Sequence, residues 1–436
     1  MASMFRALRA FNYRLWVAGA LVSNIGTWVQ RVAQDWLVLT VLTDHSGTAV
    51  GITTGLQFLP ILILGPWAGL LSDRYSKRRL IICTQTAMGF CALILGLLVV
   101  TDAVQLWHVY VLALMLGIGS AIDAPARQAF VSEVVHSGDV PNAVALNSAS
   151  FNLARMAGPG LAGLLIAWVG TGPAFLINAA SFFAVIISLL KMRPAELQPT
   201  ERVPRGRGQI REGLRYLRGQ PELRMVLVLG GVVATATLNF QMVNAMMATE
   251  VFRQGPGEYG LLGTIMAVGT LSGALLAARR GATRLSYLVL AALALGIFSV
   301  LAAFAPGYWL YALALIPIGI AAVTFLNLCN TTIQLGADPA FRGRVLALYM
   351  MVVQGGTPLG APLIGWIGTA FGPRWSLIIG GAVAVLAAVL AGVVLLRRGG
   401  VPLRTRLQTQ LVQPLSHPRQ AWTASRQRRA RQEDQP

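Results

Sequence analysis

Twelve apolar runs follow one another along the 436-residue chain, separated by short stretches of Arg, Pro, Gly and Asn. They lie near residues 15–42, 49–71, 80–100, 107–129, 143–169 and 174–191, then near 223–248, 259–278, 285–305, 308–330, 344–370 and 375–396. A helix needs roughly 20 apolar residues to cross a bilayer, so the pattern predicts twelve transmembrane helices. The first run follows Arg6, Arg9 and Arg14 in the manner of a signal peptide. However, it continues well past a typical apolar region, lacks an Ala-x-Ala site and contains Gln30, Arg31, Gln34 and Asp35, so it is expected to be a span.

Composition agrees with this pattern. Hydrophobic residues make up 55% of the chain, charged residues only 12%, and the mean hydropathy is +0.64. A soluble domain would be about a quarter charged, because its surface must meet water. The net charge of +19 would suggest nucleic acid on a soluble protein. Here the charge sits between apolar runs, so the expected partner is a lipid bilayer and not nucleic acid.

The basic residues also predict an orientation. One set of connections holds Arg74, Lys77, Arg78 and Arg79, the 191–224 segment, Arg279, Arg280, Arg284, Arg342 and Arg344. The opposite connections hold only Arg253 and Arg374. The basic side is expected to be the cytoplasm, with both termini on it. The expected location is a bacterial cell (inner or plasma) membrane.

The chain divides as six plus six. Expected units are an N-terminal bundle (1–191), a basic linker (192–222) with an amphipathic piece at Gln209–Arg218, a C-terminal bundle (223–396) and a basic, disordered cytoplasmic tail (397–436). A shift of 202 residues aligns Gly117 with Gly319, Gly158 with Gly360 and Gly163 with Gly365, and a shift of 204 aligns Gly69 with Gly273. Such a nearly constant offset points to two homologous halves.

Several chemistries are excluded. The only lysines, Lys77 and Lys191, follow Ser and Leu, so there is no Gly-Lys phosphate cradle and no ATP-driven pump. Gly158-Pro-Gly-Leu-Ala-Gly163 formally matches a dinucleotide fingerprint, but no strand precedes it. Cys83, Cys91 and Cys329 fall in apolar runs, and the four histidines show no ligand spacing. No enzyme, metal or cofactor is expected.

The connection between spans 2 and 3 reads Gly65-Pro-Trp-Ala-Gly69-Leu-Leu-Ser-Asp73-Arg74-Tyr-Ser-Lys77-Arg78-Arg79. It resembles the loop signature of the major facilitator superfamily, with Ser76 where that family usually has Gly. Gly26-Thr-Trp-Val-Gln-Arg31-Val-Ala-Gln-Asp35, Pro125-Ala-Arg127, Pro141-Asn-Ala-Val-Ala-Leu-Asn147 and Arg342-Gly-Arg344-Val resemble the branch of enterobactin exporters and transmembrane secretion effectors. The resemblance covers approximately residues 5–396. It implies an all-α membrane protein of two six-helix bundles, exporting a small molecule by alternating access between them. It also implies a conformational latch on the cytoplasmic side. The candidates for that latch are Gly69, Asp73, Arg74, Lys77 and Arg78, with Arg127 and its neighbour Asp123. Gly158, Pro159 and Gly163 resemble the Gly-Pro element of the superfamily's antiporters, with Ala162 departing from it.

Charges inside spans are costly and usually functional. Arg31 and Asp35 are four apart on one helical face and able to pair, as are Asp123 and Arg127. Asp35 is the candidate for proton coupling or substrate contact, whereas Asp123 reads as structural. Arg155 is a candidate for an anionic group on the substrate or for a helix–helix hydrogen bond. The resemblance places spans 1, 4, 7 and 10 around the cavity, which makes Asn239, Asn244, Asn327 and Asn330 candidate cavity residues. Trp107, Tyr308 and Trp309 read as interface anchors.

The expected function is secondary export of a small organic molecule (a siderophore, drug or secondary metabolite) by proton antiport, through a monomer. The alternatives are a proton-coupled importer and a non-transporting membrane receptor or assembly factor. The substrate's identity is not encoded in these patterns.

Overall fold

A computed structural model describes residues 5–198, 209–278 and 284–397. Among the described residues there is no strand. The long helices are α1 (Phe11–Trp36), α2 (Gly47–Arg74), α3 (Lys77–Val100), α4 (Leu106–Phe130), α5 (Val140–Val169) and α6 (Thr171–Lys191). After a short surface helix, α7 (Gln209–Arg218), span 7 is built from α8 (Pro221–Thr237) and α9 (Phe240–Met246). The remaining spans are α10 (Pro256–Ala278), α11 (Leu285–Ala303), α12 (Tyr308–Gly336), α13 (Arg342–Phe371) and α14 (Pro373–Arg397).

Ten of the described helical segments are long and apolar enough to cross a membrane. The other two long helices, α1 and α5, are 26 and 30 residues long but more polar. Arg31, Gln34 and Asp35 account for this in α1, and Asn147, Asn152 and Arg155 in α5. Such polarity is tolerated where a helix packs against its neighbours and not against lipid, and α1 packs against both α5 and α6. With α1 and α5 the described helices make up the twelve spans that the apolar pattern predicts.

The internal repeat extends to the helix boundaries. Helix α5 spans 140–169 and α13 spans 342–371, displaced by the same 202 residues that align the glycines. Gly170 and Gly372 follow them, and they are the two described glycines with positive φ, at 83° and 96°. Each reverses the chain where an L side chain would be strained. Spans 1 and 7 also match: each ends in a π-helical turn, Leu37–Leu42 and Met247–Val251.

That second π turn corrects one boundary. Sequence places residues 249–258 in a connection, but span 7 continues to Val251 and carries Glu250 with it. Oε1 of Glu250 is buried without a hydrogen-bond partner. The interface-anchor reading also needs correction for Tyr308. Trp107 and Trp309 are exposed, whereas Tyr308 is buried and donates to the Glu258 carbonyl at 2.9 Å.

Both described termini, the α2–α3 connection and α7 lie at one end of the bundle, the basic end. The two bundles meet along two seams, α2 against α13 and α5 against α10. The repeat interchanges them, since α2 corresponds to α10 and α5 to α13. At the opposite, far end one apolar core runs through both halves, including Val38 and Val50 from the first and Met246 and Ile364 from the second. Toward the basic end the first half has a separate core around Tyr13, Trp16, Phe130 and Leu189.

Candidate functional site

Asp35 lies one residue before the end of α1, in the far half of the span, and is 4% exposed. Its Oδ2 accepts hydrogen bonds from Gln241 Nε2 at 2.7 Å and from the Tyr259 hydroxyl at 3.2 Å. Gln241 is on α9 and Tyr259 on α10, so both donors come from the other half of the protein. Trp36, the next residue along, stacks on the Tyr259 ring at 6.1 Å between centroids. The carboxylate therefore sits at the junction of the two bundles, held by neutral donors.

The expected pairing with Arg31 is not formed: no ion pair joins the two side chains. The Arg31 guanidinium instead lies between the faces of Trp28 and Phe58, 5.1 and 5.3 Å from their ring centroids. Its Nε is buried without a hydrogen-bond partner. Aromatic faces attract a cation through their quadrupole, which explains the position without a carboxylate. One helical turn sufficed for pairing in principle, but the donors of the second half hold Asp35 toward themselves.

Deeper toward the basic end, Arg155 of α5 donates to Asn152 at 3.1 Å and to Thr270 of α10 at 3.2 Å. This bond crosses the α5–α10 seam. Asn327 and Asn330 are partly exposed on α12, and Asn330 accepts from Gln334 at 3.1 Å. Asn239 and Asn244 are buried within the second half. Asn239 donates to the Thr235 carbonyl at 2.8 Å, and Asn244 accepts from the Tyr311 hydroxyl at 2.7 Å.

Asp123 forms a different kind of site. It accepts from Thr84 at 2.6 Å and Gln85 at 2.9 Å, both on α3, and its Oδ2 is 3.2 Å from Arg127 Nε. That last contact is ionic, without the alignment of a hydrogen bond. Arg127 also donates to Asn24 at 3.2 Å and lies over the Trp16 ring. Every described partner belongs to the first half, which fits a structural node.

Among the expected latch residues, Gly69 and Asp73 lie on α2, but their side chains fall outside the described residues. Arg74 is exposed at the end of α2. Lys77 pairs with Glu133 at 2.5 Å, and Arg78 donates to the Leu189 carbonyl at 2.9 Å. Described partners of Lys77, Arg78 and Arg127 thus come from their own bundle. At the start of span 11, Arg344 pairs with Glu212 of α7 at 3.2 Å.

The Gly-Pro element forms part of the α5–α10 seam. A Cβ on Gly158 would run into Trp28 of α1. One on Gly163 would stand 2.5 Å from the Pro256 carbonyl and 3.1 Å from Gly257 Cα. Pro159 lies over Gly260 and Gly263. Across the pseudo-twofold, Gly365 is pressed against the Gly47 carbonyl on α2. The two repeat-related glycines therefore do the same work in the two seams.

Comparisons with known proteins agree with this architecture. Residues 2–416 match the family described as transmembrane secretion effector. The staphyloferrin A transporter of Staphylococcus aureus is 25% identical over 367 residues, covering 80% of this chain and 87% of that one. The multidrug efflux pump Tap of Mycolicibacterium fortuitum is 28% identical over 373 residues, covering 81% and 88%. The enterobactin exporter EntS of Escherichia coli O81 is 24% identical over 364 residues, covering 82% and 85%. Among solved structures, a bacterial homologue of the lysosomal transporter Spinster superimposes with a TM-score of 0.71 at 16% identity, over 88% of this chain and 96% of that one. The chain belongs to the transmembrane secretion effector family of major facilitator transporters, and is a multi-pass membrane protein and not an enzyme.

Proposed function

We propose that this transporter exports a small organic molecule by proton antiport and alternating access, with Asp35 as the proton-carrying group. The observation that carries this reading is the hydrogen bonding of Asp35 to Gln241 and Tyr259 across the two halves. An acid at a junction that must open links its protonation to the opening. A proton on Asp35 turns one carboxylate oxygen from an acceptor into a donor, and so changes what the Gln241 amide and Tyr259 hydroxyl can bond to.

The basic end is assigned to the cytoplasm by the positive-inside rule. The far-end core then closes the outer side, and the conformation is inward-facing. The halves comprise residues 1–191 and 223–396, joined by the 192–222 linker; the 397–436 tail lies outside the described residues. Arg155 and the unpaired Arg31 are proposed to meet an anionic group of the substrate, with Asn327 and Asn330 supplying neutral hydrogen bonds opposite. Pro159 and Gly163 give the seam about which the halves rock, and Gly158 seats Trp28 of α1 behind it. Relatives described as exporting enterobactin and effluxing drugs support the outward direction.

Everted membrane vesicles test the proposal. With a panel of fluorescent efflux dyes and catecholate and carboxylate siderophores, at least one compound should accumulate when respiration energises the membrane. Accumulation should be independent of ATP and collapse on adding an uncoupler. Uptake only in right-side-out vesicles would make the protein an importer. No flux of any compound in either orientation would reject the transport cycle proposed here.

A further inference from the structure

A lateral cleft of about 730 Å³ opens on the flank of the second half, between α7, α8, α13 and α14. It lies away from Asp35 and plays no part in the proposed cycle. Its walls are apolar, with Leu227, Val228 and Val232 on one side and Ile364, Ile367 and Val383 on the other. Its floor is where α13 and α14 approach α8, Gly360 against the Thr235 carbonyl and Gly380 against the Ala236 carbonyl.

The two charged residues that line it are both arginines, and both stand at its basic end. Arg218 ends α7 and Arg224 lies in the first turns of α8. Both are exposed, and neither is ion-paired to a described acid. The neighbouring acid Glu212 is taken by Arg344 at 3.2 Å. Glu222, two residues before Arg224, points some 200° away around the helix at about 100° per residue.

The depth of the cleft carries the assignment further. From Arg224 to Ala236 the α8 wall climbs twelve residues, about 18 Å at 1.5 Å each. The hydrocarbon of one leaflet is half of roughly 30 Å. The α13 wall carries the slot further, from Val352 beside Gly231 to Ile367, so the slot is at least one leaflet deep. With cations at headgroup level, it complements a molecule with an anionic head and a long apolar tail.

We infer that this cleft binds an anionic phospholipid from the leaflet at the basic end, its phosphate between Arg218 and Arg224 and an acyl chain along Val228 and Val232. The lipid would then fasten the linker helix α7 to the second half. That helix already touches α13 through the stacked rings of Tyr216 and Phe341, 4.5 Å apart, and through Gly213, which faces Leu348.

The test uses full-length protein, delipidated in mild detergent and titrated with phosphatidylglycerol or phosphatidylcholine of identical chains. Lipid retention is read by native mass spectrometry and by thermal unfolding. Wild type should retain phosphatidylglycerol in preference by on the order of tenfold or more, given the attraction of two headgroup-level arginines. Arg218→Gln with Arg224→Gln should erase the preference, while Arg284→Gln, an exposed basic-end arginine outside the cleft, should keep it. Val228→Trp should weaken retention of both lipids by filling the chain's place. Soluble glycerol phosphate should not compete at equal concentration, which separates a lipid site from a phosphate site. Equal retention of the two lipids by wild type would overturn the assignment. So would a preference that survives the double arginine change, retention unaltered by Val228→Trp, or competition by glycerol phosphate. None of these readouts depends on transport.

Discussion

The Gln241 side-chain amide donates to Asp35 Oδ2 at 2.7 Å, joining residues 206 positions apart on opposite halves of the molecule. Asp35 is thereby committed to the second bundle instead of to the arginine one turn away on its own helix. In the proposed cycle, opening the far end would break this bond and the longer one from Tyr259. Water entering from the open side, or a proton on the carboxyl, would then take the place of the two donors, and which of these does so sets the cost of the step.

Replacing Asp35 by Asn should abolish proton-driven accumulation while permitting downhill movement of a substrate that does not need the charge. Substrate-induced proton release from purified protein is the measurement. Equal release from wild type and Asp35→Asn would move the carrier to another acid, with Asp123 and Glu250 next to be examined.

A pair of double-mutant cycles separates the two neighbours of Asp35. Asp35→Ala with Gln241→Ala should show a coupling of roughly 0.5–1.5 kcal/mol in unfolding, as interhelical hydrogen bonds in membranes do. Asp35→Asn with Arg31→Gln should be closer to additive, because no ion pair joins them. A larger coupling to Arg31 than to Gln241 would show that the structural pair expected from their spacing forms in the membrane.

Gly163→Leu and Gly365→Leu should block transport to a similar degree, since each adds a side chain where two backbones touch. Gly158→Leu should do the same by displacing Trp28. Transport in proteoliposomes, normalised to folded protein, tests this. Activity above half of wild type for any of the three would mean that the corresponding contact opens without cost.

The acids on α2 and α4 should behave differently from one another. Asp123→Ala leaves Thr84, Gln85 and Arg127 without their shared partner. It should destabilise the protein by about 3 kcal/mol or more, the cost of orphaning a buried charge. Asp73→Asn should leave insertion and stability intact but impair transport, as the loop signature on α2 implies for a latch. Wild-type efflux from Asp73→Asn at equal protein content would remove that role.

The spans and the repeat were legible because they depend on local, periodic quantities. Apolar length marks a helix wherever it occurs, and the 202-residue offset places Gly163 and Gly365 at matching points of their helices without knowledge of packing. Asp35 was visible for a similar reason, as a charge inside an apolar run. Its partners were less so. Gln241 is one of several polar residues in an apolar run, and Tyr259 sits at the start of another, where tyrosine commonly marks the interface. Nothing local couples either to a residue more than 200 positions earlier. Glu250 was assigned to a connection because the π turn that carries span 7 past it has no compositional signal. Lys77 was singled out for its loop, whereas its partner Glu133 lies in an ordinary connection beyond α4.

The two glycine seams have a mechanical consequence. Where helices interdigitate through large side chains, sliding them means lifting each knob out of its hole. Along α2–α13 and α5–α10, at Gly47 and Gly365 and at Gly163 and Gly257, backbone bears directly on backbone. At these points there is no knob to lift, whereas Leu62 against Gly355 and Pro159 against Gly263 still interlock. Resistance to movement along the seams is then expected to concentrate in those few interlocked side chains and in polar contacts such as Arg155 with Thr270.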